Sequence, residues 1–218
     1  MRVIKWRQFL KDGLQSGNKP ASITIGIFDG VHLGHQALIK RVVSYNADDG
    51  YVPVIFTFRQ NHKTKKSTFR FGEQRTENKE QRTEDREQRT CPFGSENREL
   101  CDIQSFEERL AVFERLGVQI TVVIDFTEEF RRMTGREFLL MLSEHCCVGF
   151  FAVGSDFRCG YQLDTDAAAI VEFFTSRKIP VEIAPLVYDG QLPVSSSRIR
   201  AAMADGDILK AQTMLGNI

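Results

Sequence analysis

A run of apolar residues that halts on Asp-Gly and restarts at helical spacing constrains this chain more than any other stretch: Thr24-Ile25-Gly26-Ile27-Phe28-Asp29-Gly30-Val31-His32-Leu33-Gly34-His35. Ile23 to Phe28 is short, apolar and β-branched at its start, which predicts a buried strand. Asp29-Gly30 is a turn signal, and from Leu33 the apolar residues Leu38, Ile39, Val42 and Val43 recur with helical period. Two histidines therefore sit where a strand turns into a helix. In an open α/β sheet the carboxyl ends of the strands are where ligands bind. A helix N-terminus there offers free backbone N–H groups and a partial positive charge, which suits a phosphate. His32 and His35, with Gly34 permitting close approach, add two donors for a phosphorus centre that gains negative charge. A single histidine at such a place would more often pack or cap; the density of this cluster favours the phosphate site.

Composition narrows the setting. With 218 residues, 42% hydrophobic and 27% charged, the chain has the make-up of an ordinary soluble protein and the length for one large domain, residues 1–218. Its formal net charge of +0 provides no global field to recruit nucleic acid or a membrane surface. No apolar stretch approaches the length needed to cross a bilayer, and Arg and Lys interrupt the apolar residues of Met1–Gly13, so no signal peptide is expected. Cys91, Cys101, Cys146, Cys147 and Cys159 are an odd set without a C-x-x-C pair, which predicts free, mostly buried thiols in a reducing cytoplasm.

Along the chain, Met1 to Gln15 predicts a short strand and a helix that cover the sheet, with Trp6 as a packing anchor. Val52 to Phe58 is a second strand. The composition then changes: Glu73-Gln74-Arg75-Thr76, Glu80-Gln81-Arg82-Thr83 and Glu87-Gln88-Arg89-Thr90 repeat at a seven-residue period with no apolar repeat position, so no coiled-coil seam can form. Lys63 to Thr90 holds nine basic and six acidic residues, with Phe69 and Phe71 as its apolar side chains. Such a segment buries too little to offset its ordering entropy, and residues 63–100 are expected to be a disordered, low-complexity insertion within the domain. Regular structure resumes at two capping boxes, Ser105 to Glu108 and Thr134 to Glu137. The first opens a helix with Leu110, Phe113 and Leu116 on one face; the second opens one with Phe138, Leu139, Met141 and Leu142. Strands at Gln119 to Ile124, Gly149 to Val153 and Val181 to Leu186, and a helix at Thr165 to Arg177, complete an alternation of strand and helix. That alternation predicts a Rossmann-like three-layer α/β domain with a mainly parallel sheet.

Two further stretches carry chemistry. Gly154-Ser155-Asp156-Phe157-Arg158-Cys159-Gly160 follows a strand, at the same carboxyl edge as the histidines, and Asp156 has the chemistry to accept from a ribose hydroxyl or to hold a metal. Val194-Ser195-Ser196-Ser197-Arg198-Ile199-Arg200 opens a helix. One serine suffices as a cap, whereas three with nearby arginines also supply hydroxyls, N–H groups and fixed charge for a polyphosphate.

Gly26-x-Phe28-Asp29-Gly30-Val31-His32-x-Gly34-His35 resembles the His-x-Gly-His signature of the nucleotidyltransferase superfamily, in the form found in the FMN adenylyltransferase module of bacterial FAD synthetases. Gly154 to Gly160 is similar to that family's Gly-x-Asp-Phe-x-Phe-Gly segment, with Cys159 at the second Phe. Val194 to Arg200 is similar to its Ile-Ser-Ser-Thr-x-x-Arg motif, with Ser197 for Thr. The three motifs stand in the family's order from Ile23 to Gly216. The resemblance implies a nucleotidyltransferase that moves AMP from ATP to FMN, giving FAD and pyrophosphate, with Mg²⁺ accompanying ATP and no resident metal site. It implies catalytic roles for His32 and His35. It implies ATP contacts at Gly26, Phe28, Asp29, Gly30, Gly34, Ser195, Ser196, Ser197 and Arg200, and flavin or ribose contacts at Phe58, His62, Gly154, Asp156 and Phe157. The expected partners are small-molecule substrates, not nucleic acid or membrane, and the oligomeric state is open. Two departures stand out. The family's riboflavin kinase barrel does not follow the Leu215-Gly216 end, so the chain is expected to be either a free-standing adenylyltransferase or a fragment. Phe56-Thr57-Phe58-Arg59-Gln60-Asn61-His62 also lacks the prolines of the family's Phe-x-Pro-His-Pro flap. The rival readings are transfer to another small phosphate acceptor, and a degenerate module that binds nucleotide or flavin without turnover.

Overall fold

The computed structural model describes residues 1–17, 19–45, 47–59 and 102–216. The insertion expected at 63–100, His62, Cys91 and Cys101 lie outside these residues. Strand β1 (Arg2–Lys5) runs directly into α1 (Trp6–Asp12). β2 (Ala21–Ile25) is followed by α2 (Leu33–Ser44), β3 (Val52–Phe58), α3 (Phe106–Arg115), β4 (Ile120–Ile124), α4 (Glu128–Arg132), α5 (Gly135–His145) and β5 (Val148–Gly154). A small ladder of β6 (Arg158–Cys159) and β7 (Thr165–Asp166) precedes α6 (Ala167–Thr175) and β8 (Val181–Ala184). The hairpin of β9 (Tyr188–Asp189) and β10 (Leu192–Pro193), then α7 (Ser196–Ala204) and α8 (Ile208–Leu215), follow.

Six strands form the central sheet in the order β1-β4-β3-β2-β5-β8, and every neighbouring pair is parallel. Burial on both faces explains the near-continuous apolar strands, since each side chain, whichever way it points, meets a helix layer. In β3, Val54, Phe56 and Phe58 join the core with Trp6, Phe9, Phe138, Leu142, Ile170 and Phe174 of α1, α5 and α6. Ile55 faces the other way, with Leu38, Ile39 and Val42 of α2 and Val112 and Phe113 of α3. The three-layer α/β arrangement read from the sequence is thus the architecture found. A smaller cluster of Val194, Ile199, Ala202, Ala211 and Met214 packs α7 on α8. No helix among the described residues is long and apolar enough to cross a membrane.

Local chemistry sets the helix starts. Ser105 Oγ accepts from the Glu108 N–H at 3.2 Å while the Glu108 carboxylate accepts from the Ser105 N–H at 2.7 Å and from its hydroxyl at 2.9 Å, and the latter two bonds hold the Glu108 carboxyl below its ordinary value. Thr134 and Glu137 repeat the arrangement at 3.2 and 2.7 Å. Several details differ from the sequence reading. The strand expected over Ile23 to Phe28 is β2, Ala21–Ile25, and Phe28 lies in the loop beyond it at a positive φ that no strand adopts. The buried face of α3 is Phe106, Arg109, Val112 and Phe113, with Leu110 and Leu116 only partly buried, because the helix turns its arginine inward. Helix α6 is shorter at both ends than expected, with Asp166 as its cap. Among the described cysteines Cys159 is buried, Cys146 half-buried and Cys147 exposed; burial pushes the Cys146 and Cys159 thiols up to about 12, so neither is a ready nucleophile.

Trp6 anchors α1 among the rings of Phe9, Phe130 and Phe138. Phe174 stacks on Phe151 of β5 at 4.8 Å between centroids and is fully buried. Phe174→Ala is expected to lower the free energy of unfolding by about 3–5 kcal/mol in urea titration, against within about 0.5 kcal/mol for Leu209→Ala at the exposed surface of α8.

Candidate active site

The strand order reverses direction beside β2: the chain steps from β2 to β3 and β4 on one side, then crosses to β5 and β8 on the other. The loops leaving the carboxyl ends of β2 and β5 therefore part company and open a crevice, the usual ligand position in such a sheet. Residues 26–32 leave β2, and Gly154 to Phe157 leave β5.

The first loop is unusual in its backbone. Phe28 and Val31 hold φ of 53° and 30°, and Gly30 holds 80°. For side-chain-bearing residues, and above all for β-branched Val, such values are costly and persist only when neighbours impose them. The neighbours are identifiable. The Val31 N–H donates to the Phe28 carbonyl at 3.2 Å. The Ile27 carbonyl accepts from Thr57 Oγ1 at 3.2 Å and Arg109 Nη1 at 2.6 Å. The Asp29 carbonyl accepts from Ser196 Oγ at 2.9 Å, and the Val31 carbonyl from Gln36 Nε2 at 2.8 Å. The Asp29 carboxylate takes the Ile103 N–H at 3.0 Å and pairs with Arg200. Glycine is required at position 30, because its positive φ is joined by a side chain of Ile103 that would lie 2.9 Å from any Cβ.

His32 is the N-cap of α2, its Nδ1 accepting from the His35 N–H at 3.4 Å. That bond makes Nδ1 the acceptor of the neutral ring and assigns the proton to Nε2. His32 is 5% exposed, and Nε2 has no hydrogen-bond partner among the described residues. Burial pushes its pKa from 6.5 down to about 4, against a smaller opposing effect of His32's own backbone. His35 lies stacked on His32, ring centroids 3.6 Å apart, and Phe28 meets His35 edge-on at 5.2 Å. The two rings are thus packed in a stack, and at neutral pH His32 is uncharged with its buried Nε2–H ready to donate.

Helix α7 brings the third motif to the same loop. Ser195 caps the helix by accepting from the Arg198 N–H at 3.3 Å; Ser196 is buried against the Asp29 carbonyl; Ser197 is exposed in the first turn. Arg200 closes on Asp29, whose side chain is 5% exposed, and burial lowers the Arg200 pKa. Arg198 is held by Asp189 at 2.8 Å and by the Pro193 carbonyl at 2.7 Å. The structure therefore gathers Gly26, Phe28, Asp29, Gly30, His32, Gly34, His35 and Ser195, Ser196, Ser197 and Arg200 around one loop. Of the other expected contacts, Gly154 and Asp156 stand at the end of β5 and are partly exposed, while Phe58 and Phe157 are buried in the core on the α1, α5 and α6 face. Gln36, Thr57, Ile103 and Arg109 hold the loop and were not singled out by the motifs. A signal existed for one of them: Arg109 falls at the i+3 position between Phe106 and Phe113, a charge on an apolar helical stripe.

The buried His32 makes a pH prediction. The unfolded chain protonates this ring near 6.5 and the folded chain only near 4, so its contribution to stability is present above 6.5 and is lost as pH falls towards 4. The full effect is about 3 kcal/mol. Chemical denaturation of wild type and His32→Asn across that range is expected to show the smaller acid-side loss of stability in the variant.

The FAD synthetase family model matches residues 14–198. Similar proteins include the bifunctional riboflavin kinase/FMN adenylyltransferase of Escherichia coli, 23% identical over 218 residues, which are 100% of this chain and 60% of that protein. The bifunctional riboflavin kinase/FMN adenylyltransferase of Buchnera aphidicola is 24% identical over 203 residues, 92% of this chain and 56% of that one. The FAD synthetase of Listeria monocytogenes is 24% identical over 200 residues, 92% and 70% of the two chains. The chain thus spans about 60% of the length of the bifunctional relatives. Among solved structures, a macrolide-efflux protein from Streptococcus pneumoniae superposes with a TM-score of 0.72 at 23% identity, covering 99% of this chain and 62% of that one. A pantothenate synthetase from Thermus thermophilus does so with a TM-score of 0.51 at 15% identity, covering 94% and 71%; both are likenesses of fold. Because the family match takes in the histidine loop, the end of β5 and the first turn of α7, the chain belongs to the FAD synthetase family.

Proposed function

We propose that this chain transfers the AMP group of ATP to the phosphate of FMN, forming FAD and releasing pyrophosphate. The observation that carries the reading is the neutral, buried His32 whose Nε2–H lacks a partner, stacked on His35 at the carboxyl end of β2. The relatives named FMN adenylyltransferase support the choice of substrates.

In this reading an FMN phosphate oxygen attacks the α-phosphorus of ATP in line. One P–O bond forms as the bond to pyrophosphate breaks, and no covalent enzyme intermediate is needed, so the protein's work is positioning and charge stabilisation. His32 Nε2–H and the His35 ring donate to α-phosphate oxygens as negative charge grows there. The first turns of α2 and α7 present N–H groups to the phosphate chain, and the exposed Ser197 adds a hydroxyl. Asp156, at the end of β5, is in place for a ribose hydroxyl.

Mg²⁺ enters with the substrate. Among the described residues no three His, Cys, Asp or Glu side chains form a group fit to hold a metal ion, and the Asp29 carboxylate is already engaged by the Ile103 N–H and Arg200. The ATP phosphates carry the hard oxygen ligands that Mg²⁺ prefers, and in this reading the cation accompanies them.

Incubation of the pure protein with ATP, Mg²⁺ and FMN is expected to yield FAD by chromatography and pyrophosphate by a coupled assay in equal amounts. His35→Ala is expected to lower turnover about 100-fold, the usual effect of removing one preorganised donor. ATP binding by calorimetry without any FAD would overturn the choice of FMN as acceptor.

A further inference from the structure

Helix α3 holds the histidine loop at two points, and one of them is a buried cation. Arg109 is 1% exposed. Its Nη1 donates to the Ile27 carbonyl at 2.6 Å and its Nη2 to the Arg59 carbonyl at 2.8 Å, so the guanidinium spans the carboxyl ends of β2 and β3. The charge lies 5.3 Å from the Phe106 ring centroid, and its Nε has no hydrogen-bond partner among the described residues. Asp102 and Glu107 favour its charge through space, while burial opposes it more strongly. Removing a guanidinium from water is expensive, and an apolar side chain would fill an inward helix position at lower cost. The use of a cation here is therefore geometric. A planar fork reaches two carbonyls at once, which the point-like ammonium of lysine does not.

We propose that Arg109 is a positioning residue for the reaction: by fixing the Ile27 carbonyl it sets the left-handed backbone of Phe28, and through the Phe28 ring it sets the place of the stacked His35 and His32. The Ile27 carbonyl belongs to the planar peptide that joins Ile27 to Phe28, so turning it changes ψ of Ile27 and the φ of 53° at Phe28 together. The Phe28 ring meets His35 edge-on at 5.2 Å and Phe113 of α3 at 5.7 Å, and His35 stacks on His32 at 3.6 Å. Arg109 and Phe113 stand four residues apart on α3, one holding the backbone that precedes Phe28 and the other holding its ring.

The role in turnover rests on the adenylyl-transfer reading, and the test separates the two. Arg109→Lys keeps the charge and loses the fork; Arg109→Met keeps the length and loses both. In folded preparations of either variant, kcat for FAD formation is expected to fall about tenfold or more with KM for ATP little changed, as for a displaced reacting group. The side-chain ¹⁵N resonances of His32 are expected to shift, reporting a changed tautomer balance at Nδ1 and Nε2. A purely structural arginine would lower the melting temperature and leave both readouts at wild-type values, which would overturn the proposal. If Arg109→Met does not fold, Arg109→Lys alone decides between these outcomes. Should the wild type form no FAD, the adenylyl-transfer reading fails, and the His32 resonances in the two variants still decide whether Arg109 positions the pair.

Discussion

Phe28 and Val31 both hold positive φ within one short loop, at a strain on the order of 1–3 kcal/mol each. Nothing in the loop's own residues repays that strain; it is carried by partners that arrive from elsewhere in the chain. Thr57 comes from β3, Gln36 from α2, Arg109 from α3 and Ser196 from α7; Thr57 and Arg109 share the Ile27 carbonyl, Ser196 takes that of Asp29 and Gln36 that of Val31. The histidine site is therefore a product of the whole fold. It forms only when the sheet, the helix layer on that face and the α7–α8 pair are all in place.

Two kinds of information separate what the sequence revealed from what it concealed. Local signals were readable: the apolar run ending on Asp29-Gly30, the two capping boxes, and the alternation that implies a parallel sheet all act within a few residues. The clustering of His32 and His35 at a helix start was local as well, and the two rings are found stacked there. Long-range pairings were not readable. Asp29 and Arg200 are 171 positions apart, and nothing in their spacing shows that one would close on the other. The same holds for Ser196: a serine at a helix start reads as a cap or a phosphate ligand, yet its hydroxyl is spent on the Asp29 carbonyl. Phe58 and Phe157 show a third limit, because an aromatic beside a motif reads alike whether it faces a ligand or the core. Here both are buried with the α1, α5 and α6 layer.

The electrostatics of the site follow from the same packing. Burial keeps His32 uncharged at neutral pH, so that the ring offers a neutral donor and avoids a charged ring whose desolvation the fold could not offset. Arg200 is held against Asp29, and Arg109 stays charged between two carbonyls. Fixed charges thus stand around a His32 ring that is itself neutral. Under the proposed reaction, the field at the phosphate is set before substrate arrives, with little reorganisation left for the reaction step.

Arg59, just past β3, and Ile103, just before α3, are both tied to the histidine loop, the first through Arg109. Arg109 holds the Arg59 carbonyl, and Asp29 holds the Ile103 N–H. Two such moorings make the frame indifferent to what is strung between them. Closing even a structureless segment between fixed points costs only about 0.6 kcal/mol more for each doubling of its length. The length of chain between Arg59 and Ile103 therefore bears little on the geometry that the two contacts hold.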